Sequence, residues 1–452
     1  MASSIWTTNG GIYFGYPSAT TEGAAQWQGR DAVRYAGDRH LVTVGPNGSG
    51  KSRRLLLPNL SDLTGWSILV VDPKGELAHM TAVHRAHRGN TIVRLNPFNA
   101  LNLGSDGFNP VAALDPASDD FPDDALGLAE AMIRVEGQEP HWSQSAQDLM
   151  AALVMFVRLT MPGTGTLGDV RARLGKPAKA FREVVGDMME AGIVHDCEEL
   201  TVKAGRFLDI SPDNKELNSV ISTALTQTRW LDSRPVKADL ARGAFDFASM
   251  KDRPVTVYLI LPARRLATHS TWLRLMIASV LQPFIRDTRK AKVPVLFMLD
   301  EFAQLGHLPV IENNLALMRG YGVKLWAVFQ DLAQAQAIYR DRWESFMGNA
   351  GVLQSFAPQD VVTAEYLSKR TGQTTKAVLS SGQSINPGAP AGQSINLSQM
   401  QMPLMLPQDL RNMDDGFSVL LSHLVKGTGR TYLPFPTQLP HLKQICTLDP
   451  AG

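Results

Sequence analysis

The sequence predicts an α/β fold: a mostly parallel sheet flanked by helices, with an all-helical domain inserted partway along the chain. Three observations carry that prediction. Short apolar runs rich in β-branched residues recur between helical segments; their recurrence stops between about Leu114 and Leu231; and a glycine-rich turn joins one early run to a helix. Strands alternating with helices form βαβ units, whose crossovers bring strands parallel and cover both faces of the sheet.

In chain order, His40–Val44 reads as a buried strand, and Gly45-Pro46-Asn47-Gly48-Ser49-Gly50-Lys51-Ser52 follows at once. Arg53–Leu57 then opens a helix. The glycines let the backbone curl so that successive N–H groups converge on an anion at the positive end of the helix dipole. Lys51 supplies a point charge for β- and γ-phosphates, and the Ser52 hydroxyl can ligate Mg²⁺. Strand, turn and helix together separate this motif from a chance glycine-rich turn. The chain is therefore expected to bind a nucleoside triphosphate through residues 45–52.

Further strands are expected at Ser67–Val71, Thr91–Leu95, Val255–Leu261, Val295–Leu299, Val323–Phe329 and Val352–Phe356. The interval without strands reads as helices at Asp123–Val135, Ser143–Leu159, Ala178–Ala191 and Asn214–Trp230. Pro162, Gly163, Gly165 and Gly168 punctuate it. The expected organisation is a nucleotide-binding domain in two parts, 1–114 and 232–452, around a helical insertion at 115–231. Near 379–399 the composition turns to Gly, Ser, Asn and Pro, and GQSIN occurs twice, at Gly382–Asn386 and Gly392–Asn396. Two copies are too few for a solenoid, so this stretch is expected to be a mobile surface loop.

The 452 residues suffice for two or three domains, and 44% apolar content is ordinary for a globular protein. No run approaches the roughly 18 apolar residues of a membrane span; the best candidate, Trp272–Ile285, is broken by Arg274 and Pro283. The N-terminus has no basic n-region or apolar h-region of a secretory signal. Cys197 and Cys446 form no metal spacing and read as reduced thiols of a cytosolic protein. Net charge is +1, so nothing global announces a nucleic-acid binder. Charge is nevertheless uneven: Asp115–Glu139 carries eight acids against one arginine, and Arg171–Arg182 five basic residues and no acid. Arg171, Arg173, Lys176, Lys179 and Arg182 are either a solvated face or contacts to a phosphate backbone.

In the second half, Val295–Leu299 runs into Asp300 and Glu301. A buried strand places its terminal carboxylate at the carboxyl edge of the sheet, where ligands of open α/β folds sit. Asp300 suits the Mg²⁺ shell and Glu301 the activation of water. Gln330, at the tip of Val323–Phe329, can hydrogen-bond a γ-phosphate and the attacking water. Arg319 closes an expected helix, Asn313–Arg319. It is either a helix C-terminal charge or an arginine finger reaching a neighbouring subunit's nucleotide. Val70-Val71-Asp72-Pro73-Lys74-Gly75-Glu76 is a third strand-end turn, presenting Lys74 and Glu76 at the same carboxyl edge as the phosphate loop, with Asp72 expected among the nucleotide-binding residues.

Together these pieces resemble the type IV secretion coupling ATPases of bacterial conjugation, the TraG/TraD-like family. The Asp-Pro-Lys-Gly-Glu turn is matched at Asp72–Glu76 and makes the resemblance specific. It extends through Asp300-Glu301-Phe302 with Leu305-Gly306, Arg319–Gly322 and Gln330, over roughly Leu41 to Pro440. The resemblance implies a RecA-like P-loop NTPase domain with an inserted all-α domain, ATP and Mg²⁺ as ligands, and assembly into a homo-hexamer. It further implies recruitment of relaxase-bound single-stranded DNA, or of protein effectors, to components of a secretion channel at the cytoplasmic face of the inner membrane. Most members begin with transmembrane helices. This sequence shows none, so membrane association would come through partners or an anchor outside it. The rivals are a nucleotide-gated docking adaptor and a soluble DNA motor unconnected with secretion.

Overall fold

The computed structural model describes residues 6–7, 10–23, 27–135, 140–208, 215–287, 289–384, 392–422 and 428–446. Its strands are β1 (Trp6–Thr7), β2 (Ile12–Tyr13), β3 (Tyr16–Pro17), β4 (Arg34–Tyr35), β5 (His40–Val44), β6 (Ser67–Val71), β7 (Thr91–Leu95), β8 (Val255–Leu259), β9 (Val295–Leu299) and β10 (Val323–Phe329), followed by β11 (Ala350–Ser355), β12 (Gln373–Ser384), β13 (Gly392–Pro403), β14 (Phe417–Leu421) and β15 (Thr428–Tyr432). The chain divides into two compact units, Met1–Asn59 with Ala327–His441, and Leu60–Trp326 with Leu442–Gly452.

In the first unit β5 runs parallel to β11, with a register slip between Ala350 and Val352, and β14 and β15 extend that pair antiparallel. In the second unit β7, β8, β6 and β9 are parallel neighbours in that order. Parallel strands buried on both faces read as unbroken apolar runs, and β5, β6, β8 and β9 are buried at every position. The expected strand at Val255–Leu261 ends at Leu259, although Ile260 and Leu261 are also buried.

Helices α1 (Leu57–Asp62) and α2 (Glu76–His87) follow β5 and β6. Between Leu95 and Val255 the described residues form helices and no strand: α3 (Phe121–Met132), α4 (Pro140–Thr160), α5 (Leu167–Leu174), α6 (Ala178–Val194), α7 (Glu198–Leu208), α8 (Lys215–Gln227) and α9 (Arg234–Asp239). α4 is the axis of this region, with α3, α5, α6, α7 and α8 packed on it. Every residue from Leu149 to Met155 is fully buried, so burial runs round this part of the helix and not along a single stripe. α5 begins with a capping box, in which Thr166 accepts from the Asp169 N–H and the Asp169 carboxylate accepts from the Thr166 N–H. α10 (Ala263–Arg286) joins β8 to β9. Among the described residues no helix is long and apolar enough to cross a membrane. Cys197 is buried and unbridged, and burial pushes its thiol up; the side chain of Cys446 lies outside the described residues.

Two expectations need correction. The loop expected near 379–399 is largely an antiparallel hairpin of β12 and β13, with 385–391 outside the described residues. Its register pairs Gly382 with Ser394, Gln383 with Gln393 and Ser384 with Gly392, so the repeated Gly-Gln-Ser is one strand segment facing its own copy. Composition hid this because backbone pairing, not side-chain type, defines the ladder. The helix expected at Asn313–Arg319 lies earlier, as α11 (Pro309–Asn314), with turns from Leu315 to Tyr321. Pro309 sets its first turn, where proline's missing N–H costs nothing.

Candidate nucleotide site

β5 is buried along its length and delivers Gly45, whose N–H donates to the Phe329 carbonyl at 3.0 Å. A Cβ at Gly45 would lie 2.8 Å from Ser49 Oγ and 3.0 Å from the Phe356 ring, so only glycine fits. Gly48 (φ 82°) and Gly50 (φ 78°) are left-handed, the conformation that turns successive N–H groups to one side. Pro46 and Ser49 close the turn through Ser49 N–H to Pro46 O at 3.2 Å, and Asn47 is exposed at its tip. Lys51 is 5% exposed and folds back over the loop, its Nζ donating to Gly45 O at 3.2 Å. Ser52 is half-buried beside it in a π-helical turn, Lys51–Leu56, that leads into α1. Ser49 Oγ is buried without a hydrogen-bond partner. A loop with converging N–H groups, an inward lysine and an orphaned hydroxyl fits a polyphosphate. Gln330 follows Phe329, half-buried, and its Oε1 accepts from Gln334 Nε2 at 3.4 Å. The first unit thus brings Gly45–Ser52 and Gln330 together.

The second unit holds the carboxylates. β6 and β9 pair Val71 with Leu299, so Asp72 and Asp300 leave adjacent strand ends. Both are buried, at 2% and 5% exposure. Asp72 accepts from the Gly75 N–H at 2.9 Å and the Ala78 N–H at 2.8 Å, capping the start of α2. Burial pushes its carboxyl up to about 7 against those two hydrogen bonds, and the Asp300 charge pushes the same way. Lys74 is exposed and Glu76 half-buried on the same turn. Asp300 Oδ1 accepts from the Glu301 N–H at 3.0 Å. Glu301 adopts φ 54°, ψ 41°, a left-handed backbone that costs a non-glycine residue about 1–2 kcal/mol and that clusters at functional sites. Gln304 Nε2 holds its carboxylate at 3.1 Å. Arg319 is exposed and opens the turn closed by Gly322 N–H to Arg319 O at 3.1 Å. It ends no helix, which removes the helix-dipole reading. No group of three or more His, Cys, Asp or Glu among the described residues could hold a metal ion. The Ser52 hydroxyl of the first unit and the Asp300 carboxylate of the second are each oxygen donors of the kind Mg²⁺ takes.

Two of the five basic residues are structural. Arg171 pairs with Asp232 at 2.8 Å and donates to Leu225 O and Thr228 Oγ1. Arg173 donates to Asp169 O and lies over the Phe156 ring. Sequence reading missed Arg85, fully buried, whose guanidinium donates to Leu60, Leu63 and Trp66 carbonyls, Asn90 Oδ1 and Thr256 Oγ1. It ties α2 to the turn between α1 and β6. Its only sequence signal is an arginine on the otherwise small and apolar face of α2.

The profile of one protein family, Type IV secretory system Conjugative DNA transfer, matches residues 3–426. Conjugal transfer protein TraG of Escherichia coli is 28% identical over 424 residues, covering 88% of this chain and 66% of that protein. Protein VirD4 of Agrobacterium fabrum is 28% identical over 395 residues, covering 84% of this chain and 56% of that protein. The chain therefore spans less than two thirds of the length of these relatives. Among solved structures, plasmid coupling protein TrwB in complex with the non-hydrolysable ATP analogue ADPNP superposes with a TM-score of 0.68 at 14% identity, over 96% of each chain. TrwB in complex with ADP and Mg²⁺ gives 0.66 at 15% identity, over 94% of each. At such identity the likeness is one of fold, and it is the RecA-like P-loop fold with a large, mostly parallel sheet. With a family profile matched almost end to end, this chain belongs to the type IV secretory system conjugative DNA transfer family.

Proposed function

We propose that this chain is the motor of a conjugative coupling protein, binding and hydrolysing Mg²⁺-ATP to recruit and move single-stranded DNA, relaxase-bound, or a protein effector toward a type IV secretion channel. The observation that carries this reading is the phosphate cradle: Lys51 folded over left-handed Gly48 and Gly50, with Ser49 Oγ orphaned beside it. Lys51 and the loop N–H groups hold the phosphates, Ser52 ligates Mg²⁺, and Asp300 completes the metal shell through water. Glu301 takes the proton of the attacking water, Gln330 reports the γ-phosphate, and Arg319 serves a neighbouring subunit's nucleotide in a homo-hexamer. Asp72 supports the strand end next to Asp300. Lys176, Lys179 and Arg182 remain as auxiliary contacts to a DNA backbone, at the cytoplasmic face of the membrane where the channel components stand.

The test is ATP turnover of the full chain, with and without a single-stranded oligonucleotide, on a sample of known oligomeric state. Stimulation by the oligonucleotide that weakens steeply with salt supports the motor. Turnover indifferent to DNA at low salt favours a nucleotide-gated docking adaptor, and absence of turnover in an assembled ring sinks the enzyme.

A further inference from the structure

A nucleoside triphosphate is longer than its phosphate cradle, so its base needs a seat beyond the loop. Arg54 is the second residue past Ser52, and its side chain is 3% exposed. Its Nη1 donates to Leu433 O at 2.7 Å, and its Nη2 bonds the Asp415 carboxylate. A Cβ at Gly50 would sit 2.9 Å from Arg54 Cδ, and one at Gly416 2.3 Å from its Nη1. The guanidinium is slotted between two glycines, with its Nε buried and without a partner. Above it lies Phe435, whose ring centroid is 3.6 Å from the guanidinium carbon.

Phe435 is 42% exposed, among the few large apolar side chains left open. Its backbone is held hard: its N–H donates to Gln438 Oε1 and its carbonyl accepts from the Gln438 N–H, each at 2.8 Å. Pro436, Leu433 and Leu439 around it are buried. An aromatic on a fixed backbone, with one face on a buried cation and much of the residue open to solvent, can serve as a stacking platform, since every nucleobase has a π-face. No phosphate chemistry uses it.

We propose that Phe435, held by Arg54, is the base-stacking residue of the nucleotide site; this rests on the nucleotide-binding reading of the loop. Stacking reads no hydrogen-bond pattern, so adenine and guanine are held alike. Arg54 acts through Phe435 and is a positioning residue.

Calorimetric titration of the full chain with Mg²⁺ and ATP, GTP or inorganic tripolyphosphate tests it, for the wild type, Phe435→Leu and Phe435→Trp. The wild type should hold ATP and GTP within a few-fold of each other and both more tightly than tripolyphosphate. Phe435→Leu should lose on the order of tenfold for both nucleotides, leave tripolyphosphate unchanged, and be matched by retention in Phe435→Trp. If Phe435→Leu binds ATP like the wild type, or loses tripolyphosphate in the same proportion, the platform is wrong while the loop stands. A wild type that binds neither ATP nor tripolyphosphate overturns the nucleotide reading and the platform with it.

Discussion

Two joints in this molecule share one construction and differ in a single respect. Each is a buried parallel strand that runs through a short turn into a helix. Each helix is preceded by a left-handed glycine, Gly50 at φ 78° and Gly75 at φ 76°, which has no side chain of its own to cap it. After β6 the chain supplies its own anion: the Asp72 carboxylate takes the N–H groups of Gly75 and Ala78. After β5 it supplies none. The equivalent place holds a lysine bonded to its own loop carbonyl and a serine hydroxyl with no partner. A strand–turn–helix joint is thus an anion site by geometry. The residue at the strand end decides whether the chain or a ligand fills it.

The comparison breaks most visibly at Lys51. Lys51→Ala should weaken nucleotide binding and cut turnover by at least roughly 10²–10³, the usual loss when a charge-stabilising donor is removed, with the unfolding midpoint little changed. Glu301→Gln should keep ATP bound and lose roughly 10²–10⁴ in rate, since the amide cannot accept the proton. Single-turnover kinetics with ATP separate the two, and normal hydrolysis by Glu301→Gln would falsify its assignment as base.

Asp72→Ala should behave in the opposite way. It strands two N–H donors in the interior at a cost of about 1–3 kcal/mol, measured by urea unfolding, while affinity for tripolyphosphate stays near wild type. A loss of phosphate affinity as large as that of Lys51→Ala would abolish the distinction between the joints. The same residue gives a pH signature. Its carboxyl is raised to about 7 from an ordinary value of 3.8, so the folded protein binds the proton more tightly. That contribution is fully present below about pH 4 and is lost as pH rises through 7. Thermal melts from pH 4 to 8 should therefore fall less steeply for Asp72→Asn than for wild type.

The glycines sharpen the contrast at the smallest scale. A Cβ at Gly75 meets only side-chain carbons at 3.4 Å or beyond, so Gly75→Ala should cost about 1 kcal/mol, the backbone penalty alone. Gly50→Ala adds a contact at 2.9 Å with Arg54. It should cost more in unfolding free energy and also reduce nucleotide affinity. Equal costs would mean Arg54 yields freely and the clamp is loose.

The sequence made some of this plain and concealed the rest for identifiable reasons. Ser67–Val71, Val295–Leu299 and Val323–Phe329 are observed to the residue, because strands buried on both faces carry a continuous apolar signal that polar turn residues cut off sharply; Thr91–Leu95, only partly buried, is observed to the residue as well. β11 lies two residues earlier at its start than expected, where Ala350 and Gly351 carry no such signal. β15, Thr-Gly-Arg-Thr-Tyr, carries no apolar run and went unread, and so did β14 despite its apolar Phe-Ser-Val-Leu-Leu. The phosphate loop was legible because its mechanics demand fixed residue types at fixed offsets. Asp72 was legible as a strand-end acid but not as the cap of its own turn, which depends on where two backbone N–H groups point. Arg54 and Phe435 are 381 positions apart in sequence, and no local pattern joins them.

β5, which carries the phosphate loop, has a consequence for how the protein is made. Its registered neighbour β11 pairs Thr43 with Gln354, 311 positions later. At about 5–20 residues per second a ribosome needs roughly 15–60 s to cover that interval. Through that time the loop has emerged while its strand still lacks β11 beside it. The parallel block of β6, β7, β8 and β9 is already complete once Leu299 is out. Nascent chains arrested before Ala350 should therefore resist protease over the second unit yet fail to retain nucleotide, and the capacity to do so should appear abruptly, late in synthesis, once Ser355 has cleared the exit tunnel.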